Sequence, residues 1–115
     1  MKKLLRAPEY LDHILGAIER VQRYTAGLDE QRFMSDEMLQ DAVVRNVEVI
    51  GEAANNIQRV DPSFAEKHSE IPWQVMYTMR NRLTHGYDVI DFQIVWKTTQ
   101  EDFPLLGRLI RAIER

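Results

Sequence analysis

Residues 35–62 read SDEMLQDAVVRNVEVIGEAANNIQRVDP, and the spacing of apolar residues in this stretch decides the fold class. The apolar residues that recur every three or four positions are Leu39, Val43, Val47, Ile50, Ala54 and Ile57. This spacing places them on one face of a helix of about six turns. Ser35 is the predicted N-cap, and the helix should end at Asp61-Pro62 because a residue that precedes proline avoids the helical conformation.

The same apolar spacing continues on both sides of this stretch. Residues that start, stop or bend a helix stand at the boundaries of three further helices, namely Pro8 and Gly27, Pro72 and Gly86, and Asp91 and Pro104. Phe33 and Met34 should lie in a short link, and residues 63–68 have room for one or two helical turns. The 115 residues, without a hairpin-turn dipeptide, predict a single all-α domain over residues 1–115. The expected architecture is an antiparallel helical bundle of four main helices plus one or two short helices.

The composition excludes several classes of function. The chain has 15 Lys and Arg against 18 Asp and Glu, a net charge of -3, so it does not coat nucleic acid by bulk charge. A local basic site remains compatible with this balance. There is no cysteine, which excludes disulfides, thiol nucleophiles and Cys-ligated zinc. No apolar run approaches the ~20 residues that span a bilayer, and no signal peptide is recognisable, so we expect a cytoplasmic protein without a membrane partner.

Candidate chemistry concentrates in residues 79–87, MRNRLTHGY. Arginine binds phosphate through a rigid fork, and histidine exchanges a proton near neutral pH. Arg80 and His85 therefore suit attack of an RNA 2′-hydroxyl on the neighbouring phosphate, with His85 as acid or base and Arg80 stabilising the charge on phosphorus. The expected supporting residues are Asn81, Arg82 and Thr84. This chemistry calls for no metal and no cofactor.

The spacing of the two candidate catalytic residues raises a geometric problem. Arg80 and His85 are five residues apart, so a straight helix points them about 140° apart. Either the helix unwinds before Gly86, or the site forms in a cleft between two chains. Asn81 shares a helix face with His85, so its amide is expected to orient the imidazole. Basic residues at a helix C-terminus also favour the macrodipole without any function, and the local sequence leaves that interpretation open.

A patch of small residues interrupts the long helix of the opening stretch. Gly51, Ala53 and Ala54 predict that another helix packs closely there, within the chain or across a dimer. Glu52 is the polar residue in this patch, and it either pairs with an arginine or lines a cleft. Glu48 lies one turn before it, but without a histidine at helical spacing the pair does not indicate a metal site.

The segment Arg80-x4-His85-x-Tyr87 resembles the RX4HXY motif of the HepT family, within the HEPN superfamily of helical RNases. Three further segments resemble that family in the same order: residues 45–54 its second long helix, residues 70–73 the start of its motif helix, and residues 91–96 the segment after the motif. The resemblance extends from about Leu11 to about Ile110.

The resemblance implies an activity, partners and roles for residues. Members of the family are toxins of toxin–antitoxin pairs, act as metal-independent endoribonucleases and form homodimers in which the two motifs meet at a cleft. By position, Arg80 and His85 would be catalytic, with Asn81 supporting. The antitoxin is a minimal nucleotidyltransferase (MntA) that adds AMP units to the motif tyrosine, here Tyr87, and the added phosphates would repel RNA.

Two alternatives to a ribonuclease toxin stay open at this point. The chain is compatible with a non-catalytic helical subunit that docks on a minimal nucleotidyltransferase and presents a substrate to it. It is also compatible with a helical interaction domain in which the motif residues have no chemical role.

Overall fold

The computed structural model describes residues 5–113, with the side chain of Tyr87 left undescribed. Seven α-helices lie in this part of the chain: α1 Ala7–Thr25, α2 Glu30–Met34, α3 Glu37–Val60, α4 Pro62–Lys67, α5 Trp73–His85, α6 Phe92–Lys97 and α7 Phe103–Arg111. A 3-10 turn spans Tyr87–Val89, and a π-helical turn, Thr98–Asp102, joins α6 to α7. The described residues contain no β-strand, which confirms the all-α fold.

The main helices form an antiparallel bundle around α3. Arg20 of α1 donates from Nε to Asn46 Oδ1 at 2.8 Å, and two contacts described below set α3 against α5 in antiparallel register. The fourth main helix is the α6–π–α7 segment, and Gln100 in its π turn donates to Thr25 at the far end of α1. The predicted bundle of four main helices is thus confirmed, with α2 and α4 as the short ones.

The predicted cap of the long helix is wrong by one residue. Asp36, not Ser35, caps α3, because its carboxylate accepts from the Leu39 backbone N–H at 3.0 Å and carries the negative charge that a helix N-terminus favours. Ser35 instead closes the preceding helix, where its hydroxyl donates to the Arg32 carbonyl.

The predicted link around Phe33 is also wrong, since this residue lies in α2. Asp29 starts that helix by accepting from the Arg32 backbone N–H at 2.9 Å. Phe33 is fully buried, with its ring 5.3 Å from the ring of Trp96. Burial of Phe33 in the core stabilises the helical turn that contains it. A helix of five residues is too short to show a periodic apolar pattern in the sequence.

Most of the remaining helix boundaries follow the predictions, although Pro72 is the N-cap of α5 and not its first residue. Gly27 follows α1 with φ of 75°, a left-handed conformation that glycine adopts without strain. Asp91 caps α6 by accepting from the Gln93 backbone N–H at 3.0 Å. The π turn ends just before Pro104, which lies in the first turn of α7, so the break falls where proline provides no N–H for a regular helix.

The core is built from the predicted apolar stripes, and two apolar residues with the same helical spacing are exposed instead. The fully buried large side chains lie in α1, α2, α3, α6 and α7, with Ile71 in the link before α5: Phe33, Leu11, Ile14, Ile18, Ile50, Ile57, Ile71, Ile110, Val21, Val43 and Val95. Tyr24 of α1 and Val75 of α5 have the spacing of these stripes but are 39% and 68% exposed. None of the described helices is both long and apolar enough to cross a membrane.

Candidate functional site

The motif helix α5 approaches α3 most closely at Gly51. A Cβ atom added to Gly51 would collide with Cβ of Arg80 and would lie 2.6 Å from the Met76 carbonyl oxygen. Only glycine therefore permits this separation between the two helices. The prediction that another helix packs against the small-residue patch is confirmed, and that helix belongs to the same chain.

Two neighbouring groups hold the guanidinium of Arg80. Its Nη2 lies 3.2 Å from Oε2 of Glu52, and its Nη1 donates to Oδ1 of Asn81 at 2.8 Å. The Arg80 side chain keeps 26% of its surface exposed. A guanidinium carries five N–H donors; one of them is hydrogen-bonded here, to Asn81, and Glu52 forms an ion pair with Nη2. Both alternatives that the sequence left open for Glu52 are therefore found, because it pairs with Arg80 and also lines the concavity beside that residue.

Thr84 lies one turn after Arg80 and makes an equivalent contact with α3. Its hydroxyl donates to Oε2 of Glu48 at 2.6 Å, the short distance typical of a hydroxyl bonded to a carboxylate. Two carboxylates one turn apart on α3 thus contact two residues one turn apart on α5. This contact of Glu48 was not predicted from the sequence. The signal for it is that Glu48 and Glu52 on α3 have the same four-residue spacing as Arg80 and Thr84 on α5.

His85 lies on another side of α5. Its side chain is exposed and lines a concavity of about 770 Å³ between α5 and α6. Arg82 is also exposed and lines the same concavity. Three apolar residues there are exposed as well, by 68% at Val75, 77% at Val89 and 57% at Ile94. We call this surface the open face, formed by Val75, Arg82, His85, Val89 and Ile94.

The expected hydrogen bond between Asn81 and His85 is absent from the described residues. The Asn81 amide oxygen accepts from Arg80 instead, because a charged donor makes the stronger hydrogen bond. The imidazole of His85 makes no hydrogen bond with any described residue. Asn81 therefore supports the arginine of the motif rather than its histidine.

Arg80 and His85 do not meet within one chain. Arg80 lines a separate concavity of about 780 Å³ between α1, α3 and α5, together with Glu48 and Glu52. Helix α5 stays helical through His85 and is closed by a 2.9 Å hydrogen bond from the Gly86 N–H to the Arg82 carbonyl. The alternative in which the helix unwinds before Gly86 is therefore wrong.

Tyr87 is the last residue of the motif, and its side chain lies outside the described part of the structure. Its backbone begins the 3-10 turn Tyr87–Val89, immediately after Gly86 ends α5. Tyr87 therefore lies two residues after His85, just beyond the C-terminal end of α5.

The described residues contain no group of three or more His, Asp or Glu side chains that could hold a metal ion. Glu48 and Glu52, the pair considered from the sequence, contact Thr84 and Arg80.

Comparison of the chain with known proteins identifies a family that it matches. The family model described as Ribonuclease HepT-like matches residues 14–113. The chain is 41% identical over 98 residues to a protein of Thermococcus cleftensis named probable ribonuclease HepT, and the match covers 85% of this chain and 86% of that protein. No solved structure gives a significant match.

Two further relatives carry similar names. A protein of Caldanaerobacter subterraneus subsp. tengcongensis named as a putative RNase is 36% identical over 104 residues, which cover 90% of each chain. A protein of Methanocaldococcus jannaschii named as a gamma-glutamylcyclotransferase and putative RNase is 39% identical over 104 residues, 90% of this chain but 46% of that longer protein. The chain belongs to the HepT-like ribonuclease family, as the resemblance of its motif predicted.

Proposed function

We propose that this protein is the toxin of a toxin–antitoxin pair and cuts RNA without a metal ion. The observation that carries the proposal is the state of the motif helix. The Arg80 guanidinium on this helix contacts Glu52 and Asn81 and stays partly exposed. The His85 imidazole on the same helix is exposed. Family membership supports RNA as the substrate.

The reaction is an internal transfer of the RNA phosphate. His85 takes the proton from a 2′-hydroxyl, whose oxygen attacks the adjacent phosphorus, and the bond from phosphorus to the 5′-oxygen breaks. The proton then passes from His85 to that leaving oxygen, so the products are a 2′,3′-cyclic phosphate and a 5′-hydroxyl. Arg80 stabilises the negative charge that builds on the phosphate oxygens during attack.

The working site forms between two copies of the chain. Arg80 and His85 point to different sides of one straight helix, so a single chain does not bring both to one phosphate. The open face carries Val75, Val89 and Ile94, each more than half exposed, next to His85. Apolar side chains gathered in this way are typical of a surface that a partner covers. A homodimer that buries them brings the motif of one chain towards that of the other.

The antitoxin in this proposal is a minimal nucleotidyltransferase that adds AMP to Tyr87. This residue directly follows the end of α5, two residues after His85. Phosphates attached there add negative charge beside the cleft, which repels RNA and occupies its space.

The decisive experiment incubates the purified protein with RNA in excess EDTA, beside the His85→Ala variant. Wild type should cleave and leave 2′,3′-cyclic phosphate ends, and the variant should lose about 10²- to 10⁴-fold of the rate, the usual contribution of a general acid or base. Cleavage that requires Mg²⁺, or products with other ends, would contradict the mechanism. A rate that stays flat between about pH 5.5 and 8 would show that His85 binds rather than transfers a proton.

The same preparation distinguishes the alternative of a docking subunit. A protein that leaves RNA intact but still forms a tight complex with a nucleotidyltransferase would support the non-catalytic role. Arg80 and His85 would then only bind phosphate.

A further inference from the structure

We propose that Glu52 is a positioning residue that fixes the orientation of the Arg80 guanidinium in the catalytic cleft. The inference rests on the proposed function, because it concerns the arginine that acts on the RNA phosphate. Nothing in the sequence motif itself includes Glu52, which lies 28 residues before Arg80 and on another helix.

The contacts of Arg80 fix its side chain at both ends. At the base, its Cβ lies against Gly51, where the two helices approach most closely. At the tip, Glu52 binds Nη2 at 3.2 Å and Asn81 binds Nη1 at 2.8 Å, so two different nitrogens are held. Two anchored nitrogens define the plane of the guanidinium and the direction of its free donors.

Neither stability nor RNA affinity explains this carboxylate well. The Glu52 side chain is 44% exposed, and exposed ion pairs contribute little to folding because water screens them. A negative charge beside Arg80 also opposes the attraction of a phosphate. Orientation is the property that Glu52 improves, since a flexible arginine must otherwise be ordered during the reaction.

Glu48 provides a matched control. It lies on the same helix one turn earlier and also contacts the motif helix, but its partner is the Thr84 hydroxyl rather than Arg80. Replacing either glutamate removes one charge and one contact between α3 and α5. Only replacement of Glu52 removes one of the two contacts that hold the guanidinium.

The test compares Glu52→Ala, Glu52→Gln and Glu48→Ala in cleavage rate, thermal unfolding and binding of RNA made uncleavable by 2′-deoxy substitution. Glu52→Ala should lower kcat by about 10- to 100-fold, the scale on which misplaced groups act. Its binding of the uncleavable RNA should be unchanged or tighter, because a negative charge is lost. Glu52→Gln keeps an acceptor oxygen and should recover much of the loss, whereas Glu48→Ala should lower kcat clearly less than Glu52→Ala does.

Several results would overturn the inference. They are equal kcat for Glu52→Ala and Glu48→Ala, a higher kcat for Glu52→Ala, or RNA binding that weakens in parallel with kcat. Arg80→Ala separates this failure from failure of the proposed function. If Arg80→Ala cleaves like wild type, the site assignment and the positioning role both fall. If Arg80→Ala is inactive while Glu52→Ala keeps the kcat of wild type, only the positioning role falls.

Discussion

The two sides of the motif helix α5 differ in the contacts that their polar side chains make within the chain. On the side that faces α3, Arg80 and Thr84 are bound by Glu52 and Glu48 across a glycine contact. On the open face, His85 has no hydrogen bond among the described residues and is surrounded by exposed apolar side chains. Contacts within the chain therefore orient the arginine, whereas under the proposed function a second copy of the chain completes the surroundings of the histidine.

The largest expected effect comes from mixing two inactive variants. Arg80→Ala and His85→Ala should each be inactive alone, because every cleft then lacks one group. If one chain provides Arg80 and the other His85, a mixed dimer has one intact cleft, and random exchange should restore about a quarter of wild-type cleavage. Native mass spectrometry of the exchanged sample measures the mixed dimers. Mixed dimers that stay inactive would show that the cleft does not combine residues of two chains in this way.

A charge on the open face should have the next largest effect. Ile94→Asp introduces a carboxylate in the first turn of α6, where the helix dipole tolerates it, but a dimer interface would have to desolvate it. We expect monomers in light scattering and at least about tenfold weaker RNA cleavage at the same chain concentration. Met38→Asp is the control, since Met38 is 83% exposed outside the open face. Dimers that persist in Ile94→Asp would remove this face from the interface.

Glycine replacements test the closed side through stability. Gly51→Ala should destabilise the protein by about 1–3 kcal/mol, because the new methyl group overlaps Arg80 and Met76 of α5. Gly16→Ala in α1 should instead stabilise it by about 0.5–1 kcal/mol, since the nearest atom, Arg20 Nη1, lies 3.5 Å away. Urea unfolding measures both. Equal changes for the two variants would mean that the close approach of α3 and α5 does not constrain the fold.

The smallest expected effect concerns Thr84. Thr84→Val keeps the shape of the side chain but removes the hydroxyl that donates to Glu48. The free energy of unfolding should fall by about 0.5–1.5 kcal/mol, the usual worth of such a bond, with cleavage nearly unchanged. A loss of cleavage as large as that of His85→Ala would assign Thr84 a direct part in the reaction.

Most of the fold was predictable because helix periodicity and capping are local properties. Proline and glycine marked the ends of α1, α3 and α5, and their effect depends only on backbone geometry. The wrong predictions concern places where two neighbouring residues can each cap a helix, or where a helix is too short to show a periodic pattern. Ser35 and Asp36 were both suitable caps, and α2 with five residues was stabilised by burial of Phe33 rather than by its own pattern.

The candidate site was predictable only in part. The pattern of Arg80, His85 and Tyr87 identified the motif, but the partner of each side chain lies far away along the chain. Glu52 was recognised as unusual in its small-residue patch, yet pairing with an arginine and lining a cleft were equally compatible with the sequence. The hydrogen bond expected between Asn81 and His85 shows the limit of spacing rules, since a neighbouring guanidinium took the amide oxygen.

The sequence by itself determined the helical class, most helix boundaries, the acidic balance and the motif of the family, because each depends on residue type and local spacing. The tertiary structure decided that α5 lies against α3 at Gly51, that Glu52 and Asn81 hold Arg80, and that His85 lies on a separate, open face. These features depend on the register and separation of helices distant in the chain. Long-range packing sets both quantities, and local spacing does not encode them.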